Sequence, residues 1–219
     1  MKAYYDLKQH TEDWYAIRYA KIGGTRASGL FIKSDNLLIE LLSEITEPFN
    51  FDPDANDFFN KDMERGFELE PEARQKLSEY IGVKLIECGW LQSEENELLG
   101  ISPDGISEDE TITVEIKCPA SKKHIQTLLS KEILPEYLDQ CIHYFTVNPK
   151  LEKHYFCSYR PENKYQPLLV KMLTRQSQIN IGTKSKPVIV TIDDACKMAL
   201  NEAITISGQI KDKLAELSF

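Results

Sequence analysis

The chain has 219 residues, 42% of them hydrophobic and 28% charged, the make-up of an ordinary globular protein, and most simply forms one compact domain over residues 1–219. No apolar run approaches the ~20 residues of a membrane span, no apolar leader is visible, and the five cysteines contain no C-x-x-C. A cytoplasmic protein with reduced thiols and no membrane association is therefore expected, not a disulfide or zinc framework.

The formal charge of −9 argues against nucleic acid only until it is located. Residues 85–116 hold no Lys or Arg and nine acids, which equal the whole net charge, because the other 26 acids balance 26 bases. Residues 163–192 hold no acid and carry Lys164, Lys171, Arg175, Lys184 and Lys186. The chain is polarised, and local patches govern contact with DNA more than the total.

Residues 11–20 read as a short helix. Thr11 can cap it, Glu12 and Asp13 suit its first turn, and Trp14 and Ile17 face inward. Ile22-Gly23-Gly24-Thr25 stops it. Leu37, Leu38, Leu41, Leu42 and Ile45 recur at helical spacing over residues 35–46, a second, core-facing helix. Residues 48–57 read as a loop. A long amphipathic helix is expected over 58–81, with Pro71 as a kink or restart and Gly66 allowing close backbone packing. Strand-like runs at 83–87, 89–92, 98–102 and 111–117 form a meander. Helices follow at 121–129 and 135–147, where Pro135 suits a first helical position. Strands at 153–159, 166–173 and 187–190 precede a closing helix over 193–217. This order predicts an α/β fold with a mixed central β-sheet flanked by helices.

The chemistry concentrates between Ser102 and Lys117. In a strand over 111–117, Glu115 and Lys117 share one face, expected to be solvent-facing, while Ile116 enters the core. Pro103-Asp104-Gly105 is a turn signal, and a hairpin there brings Asp104 alongside Glu115. Two carboxylates that close repel unless positive charge sits between them. A hard cation such as Mg²⁺ meets that demand with carboxylates and a backbone carbonyl. Lys117 beside it can orient or deprotonate water, the equipment of phosphodiester hydrolysis. Glu64, Glu68, Glu70 and Glu72 are candidates for a third carboxylate. Tyr137 and Gln140 share a helix face that, with Tyr144, can flank the ion. Arg18 and Thr25 bracket the Gly-Gly turn, where exposed N–H groups, a hydroxyl and a guanidinium suit a terminal phosphate. Ser102 would face the same pocket.

Pro103-Asp104 followed by Glu115-Ile116-Lys117 resembles the PD-(D/E)XK nuclease signature. The longer strings, Ser102-Pro103-Asp104-Gly105 and Glu115-Ile116-Lys117-Cys118-Pro119, resemble the lambda-exonuclease-like family of phage-type recombination (alkaline) exonucleases. The resemblance spans several motifs over residues 14–144. It implies a PD-(D/E)XK restriction-endonuclease-like core and a metal shell of Asp104, Glu115, the Ile116 carbonyl and Glu70. Glu70 matches the family's helix pattern G-x-x-x-E-x-x-A-R. Tyr137 and Gln140 match Y-x-x-Q, and Lys117, helped by Gln140, would activate the attacking water. Arg18 and Thr25 match R-x-x-x-I-[TG]-x-S, with Thr25 keeping the hydroxyl of the usual Ser. With Ser102 they imply a 5′-phosphate pocket. Lys123 stands where a relative has arginine. Arg26 has no counterpart. The resemblance further implies Mg²⁺ dependence with Mn²⁺ able to substitute, two ions per site, and 5′→3′ digestion of one strand from double-stranded DNA ends. It implies a homotrimer ring and a single-strand annealing protein as partner. An endonuclease of the same fold and a non-catalytic DNA-end-binding protein remain alternatives.

Overall fold

The computed structural model describes residues 1–52, 61–183 and 185–218, and the expected loop and helix residues at 53–60 lie outside them. The elements run β1 (Lys2–Tyr4), α1 (Glu12–Arg18), a single 3₁₀ turn (Gly24–Arg26), α2 (Ser28–Ile32), α3 (Asp35–Thr46), α4 (Lys61–Ile81), β2 (Leu85–Ile86), β3 (Trp90–Gln92), β4 (Gly100–Ile101), β5 (Gly105–Ser107), β6 (Ile112–Lys117), α5 (Ser121–Ser130), α6 (Pro135–Val147), β7 (Lys153–Tyr159), β8 (Leu168–Leu173), β9 (Gln178–Asn180), β10 (Ile189–Thr191) and α7 (Ile192–Leu217).

The expected meander is corrected, because its strands divide between two sheets. β3 and β4 join the N-terminal β1 in a small antiparallel sheet, whereas β2 and β6 belong to a five-stranded sheet of order β2-β5-β6-β7-β8. Only the β6–β7 pair of that sheet is parallel. A parallel pair needs a crossover, and α5 and α6 supply it. The turn is corrected too. Gly105 opens β5, and the reversal lies at residues 107–112. There Asp109 Oδ1 accepts from the Ser107 hydroxyl and the Thr111 amide, and Glu110 takes a left-handed φ of 62°. Short side chains that bond their own backbone make that turn.

β6 is the middle strand, and its alternation decides what each face sees. Val114 and Ile116 pack against Ala73 and Leu77 of α4 and against Cys157 and Tyr159. Each such side chain stabilises the fold by about 1.5–3 kcal/mol on full burial. On the opposite face Glu115 meets Tyr144 of α6, and Thr113 bonds His154 of the neighbouring β7. A larger core gathers α3, α6 and α7, with Ala195, Ala199, Ala203, Ile206 and Ile210 forming the inward stripe of α7. α4 runs through Pro71 unbroken, the proline sitting on its exposed side. Among the described residues nothing lies within 4 Å of a Cβ built on Gly66, so close packing against them does not explain that glycine. All five cysteines are buried free thiols. Among the described residues no helix is long and apolar enough to cross a membrane.

Candidate active site

The β5–β6 register pairs Gly105 with Val114, which sets Asp104 opposite Glu115. Asp104 Oδ2 accepts the Ile116 amide at 2.6 Å, so its carboxylate stands where another strand's carbonyl would. Glu115 and Lys117 share one face and form an ion pair. That face is not the solvent-facing patch expected for Glu115, which is 1% exposed. α6 covers it, and the Tyr144 hydroxyl donates to Glu115 Oε2 at 2.6 Å.

Of the four candidate glutamates on α4, Glu64, Glu68 and Glu72 are exposed, and Glu72 accepts the Tyr159 hydroxyl. Glu70 turns inward. Arg74, one turn on, donates to it at 2.6 Å and also bonds Glu87 and the Asp104 carbonyl. Burial, Glu115 and Glu70 together push the Asp104 carboxyl well above its usual range, against the pull of Lys117 and the Ile116 amide. Burial also raises Glu70, with Arg74 opposing and Glu115 adding to the rise. Burial alone would lower Lys117, but Glu115 and Asp104 outweigh it and hold the ammonium protonated. Among the described residues no three acid, imidazole or thiol groups converge as a ready cage for a metal ion. Lys117, Arg74 and the Ile116 amide occupy the three carboxylates instead. The donors are nonetheless all oxygen and mutually repelling, which suits a hard divalent cation.

This cluster lies where two cavities meet. One, of about 620 Å³, is lined by Arg18, Thr25, Ser102, Glu115 and Gln140; the other, of about 410 Å³, by Ile116, Lys123 and Tyr137. Glu70, Asp104 and Lys117 line both. The structure thus brings the candidate residues to one continuous cleft, but it sets Lys123 apart from Arg18 and Thr25. Lys123 pairs with Glu136 at 2.7 Å. Tyr137 stacks on Phe156 and lies under the ammoniums of Lys117 and Lys123.

At the far end of the larger cavity, the Arg18 guanidinium lies 3.7 Å from the centre of the Trp14 ring and pairs with no carboxylate among the described residues. Burial lowers it to about 10. Trp14 is fixed because its Nε1–H meets Ser102 Oγ at 2.8 Å and the Gly89 carbonyl at 3.0 Å. The Ser102 hydroxyl donates to that carbonyl at 2.7 Å. Its proton is thereby committed, so Ser102 braces the platform under Arg18 instead of facing the pocket as a free donor. Thr25 is exposed on the 3₁₀ turn. A Cβ on Gly24 would meet Gln140 Cγ at 2.8 Å, so this glycine is what lets the glutamine approach. Arg26, by contrast, is neutralised by Glu44.

Trp14 and Arg74 are neighbours of the cluster to which sequence reasoning gave no role there, whereas Tyr144, expected to flank the ion, bonds Glu115. Arg74 follows Glu70 by four residues, which was the available signal. Nothing local marks Trp14. His143 is a packing residue, its Nε2 within reach of the Ile22 and Gly100 carbonyls, and burial lowers it to about 4.

Residues 13–150 match the family model described as the YqaJ-like viral recombinase domain. The fold is similar to that of an alkaline exonuclease (LHK-Exo) from Laribacter hongkongensis, with a TM-score of 0.71 and 24% identity over 95% of this chain and 100% of that one. The same exonuclease in complex with dAMP matches with a TM-score of 0.69, at 24% identity and the same coverage. A phage-related exonuclease from Haemophilus somnus 129PT matches with a TM-score of 0.55 and 14% identity over 91% and 97%. No curated protein sequence matches the chain. The solved folds bear out the expected α/β architecture, a mixed central sheet between helices.

Proposed function

Because the chain belongs to the YqaJ-like viral recombinase domain family, we propose that it is a Mg²⁺-dependent exonuclease acting on double-stranded DNA ends. It digests one strand in the 5′→3′ direction, releases 5′-mononucleotides and leaves 3′ overhangs for recombination by strand annealing. The observation that carries this reading is the cluster of Asp104, Glu115 and Glu70 with Lys117 at the junction of two cavities, one of which holds an arginine that pairs with no carboxylate among the described residues. Relatives of the same fold are exonucleases, one of them solved with a mononucleotide.

Asp104, Glu115, Glu70 and the Ile116 carbonyl would hold Mg²⁺, with Mn²⁺ able to substitute and, as the resemblance implies, two ions per site. Such an ion supplies positive charge to the scissile phosphate and acidifies water. The protein does the rest. Tyr144 and Lys117 fix the Glu115 carboxylate in place. The Lys117 ammonium orients the attacking water and stabilises charge on the phosphate oxygens, becoming a proton acceptor only as Glu115 and Asp104 turn to other positive charge. Gln140 lines the same space and supports the water. Arg18 and Thr25 grip the 5′-phosphate, and Ser102 acts through Trp14. Better holding of a terminal than an internal phosphate favours ends. Lys123 and Tyr137 flank the strand in the second cavity. The resemblance extends the proposal to a homotrimer ring around the duplex in the cytoplasm, handing its overhang to a single-strand annealing protein.

A time course on linear duplex DNA labelled at one 5′ end, beside a closed circle of the same sequence, tests this. The expected result is Mg²⁺-dependent release of labelled mononucleotide with the circle intact. Cutting of the circle would instead establish an endonuclease, and binding of ends without digestion a non-catalytic protein.

A further inference from the structure

His10 occupies a backbone conformation that few non-glycine residues adopt, with φ of +64°. Such strain persists only where the surroundings over-determine it, and it gathers at functional sites. Here the segment is pinned on both sides. Gln9 donates to the Cys88 and Pro103 carbonyls, each at 3.1 Å, and Thr11 donates to the Lys8 carbonyl at 2.7 Å and opens α1. The imidazole is set against Trp14, with centroids 4.8 Å apart, and edge-on to Phe67 at 4.3 Å. Trp14 is the same indole that carries Arg18. Neither ring nitrogen of His10 has a hydrogen-bond partner among the described residues, although the residue lines the larger cavity beside Arg18.

An exposed histidine, fixed by its backbone against the arginine's own platform and with neither nitrogen bonded among the described residues, turns both nitrogens to the cavity that holds Arg18. We propose that His10 is a further substrate-contacting residue, whose ring N–H joins Arg18 in holding the terminal phosphate of a DNA end. This rests on the exonuclease reading for its substrate, but its test does not need turnover. The neutral imidazole adds a directional donor without a second full charge, and lies close enough to Arg18 for the guanidinium to help burial keep its proton affinity low.

The left-handed backbone makes the test clean, since glycine adopts it freely and asparagine more readily than most residues. His10→Gly and His10→Asn are compared with wild type by thermal unfolding and by affinity, in chelator, for hairpin duplexes ending in 5′-phosphate or 5′-hydroxyl. KM and kcat on the same two ends are measured with Mg²⁺. His10→Gly is expected to melt within about 3 °C of wild type, yet to lose roughly tenfold in affinity and KM for phosphorylated ends alone, the size of one hydrogen bond to a charged group. His10→Asn, which keeps a side-chain N–H, is expected to recover part of the loss. Unchanged binding of phosphorylated ends by His10→Gly overturns the proposal, as does an equal loss on both ends. If wild type binds phosphorylated ends selectively but never cuts them, the exonuclease reading fails while the binding comparison still decides for or against His10. Equal wild-type affinity for both ends overturns the proposal.

Discussion

The two ends of the larger cavity handle charge in opposite ways. At the acidic end each carboxylate has an internal partner: Lys117 and Tyr144 for Glu115, Arg74 for Glu70, the Ile116 amide for Asp104. At the other end Arg18 rests on an indole and pairs with no acid among the described residues, although Arg26, eight residues on, is closed off by Glu44. A half-buried charge left open inside a fold is costly, so it marks the place of an outside ion. A cluster that borrows its own lysine and arginine marks a place where a stronger cation would rearrange the pairing. On the proposed function, the difference separates where the chain would grip from where it would cut.

The comparison breaks most visibly at Lys117. Lys117→Ala is expected to lower cleavage by about a thousandfold while filter binding to DNA ends persists. Digestion at the wild-type rate would remove Lys117 from the chemistry. Arg18→Ala should slow digestion of 5′-phosphorylated ends by roughly 10- to 100-fold, the value of a charge-assisted contact, and 5′-hydroxyl ends far less. Equal slowing of both would count against a phosphate pocket. Tyr144→Phe removes one hydroxyl from Glu115 and is expected to cost about five- to tenfold in kcat, with little change in KM.

Stability sharpens the contrast further. The Asp104 carboxyl titrates above its unfolded value because burial, Glu115 and Glu70 disfavour its charge. Its contribution to stability is therefore present at acid pH and lost as pH rises through the folded value. Asp104→Asn should raise the melting temperature near neutral pH in chelator and remove this part of the slope. Burial gives His143 and His154 the opposite sign, lowering them to about 4 and about 3, but they titrate alike in both proteins and cancel in the difference. Mg²⁺ should raise the wild-type melting temperature more at pH 8 than at pH 6, since ligands must be deprotonated. An equal rise at both would point to a site that does not include Asp104. The smallest effect is expected at Lys123, where an exposed pairing with Glu136 is worth little. Lys123→Ala should leave the melting temperature within about 3 °C of wild type.

The acidic end was legible in the sequence, because a strand's period of two places Glu115 and Lys117 together and the return of the chain places Asp104 opposite Glu115. The cationic end was legible in its residues but not in its supports. Trp14 meets Ser102 across 88 positions, a contact that no local pattern encodes. Periodicity likewise found α3, α4, α6 and α7, yet missed β1 and β9. Three residues are too few to show alternation, and β1 pairs with a strand distant in the chain. It also placed one meander where the structure has two sheets, because alternation sets which face a side chain takes and not which neighbour the strand chooses.

The central claim is that the cluster of Asp104, Glu115 and Glu70 is a divalent-cation site, and anomalous diffraction from crystals soaked in Mn²⁺ tests it most directly. The account predicts a peak between those three carboxylates, with Glu115 released from Lys117. A peak elsewhere on the molecule, with the Lys117–Glu115 pair undisturbed, would contradict it.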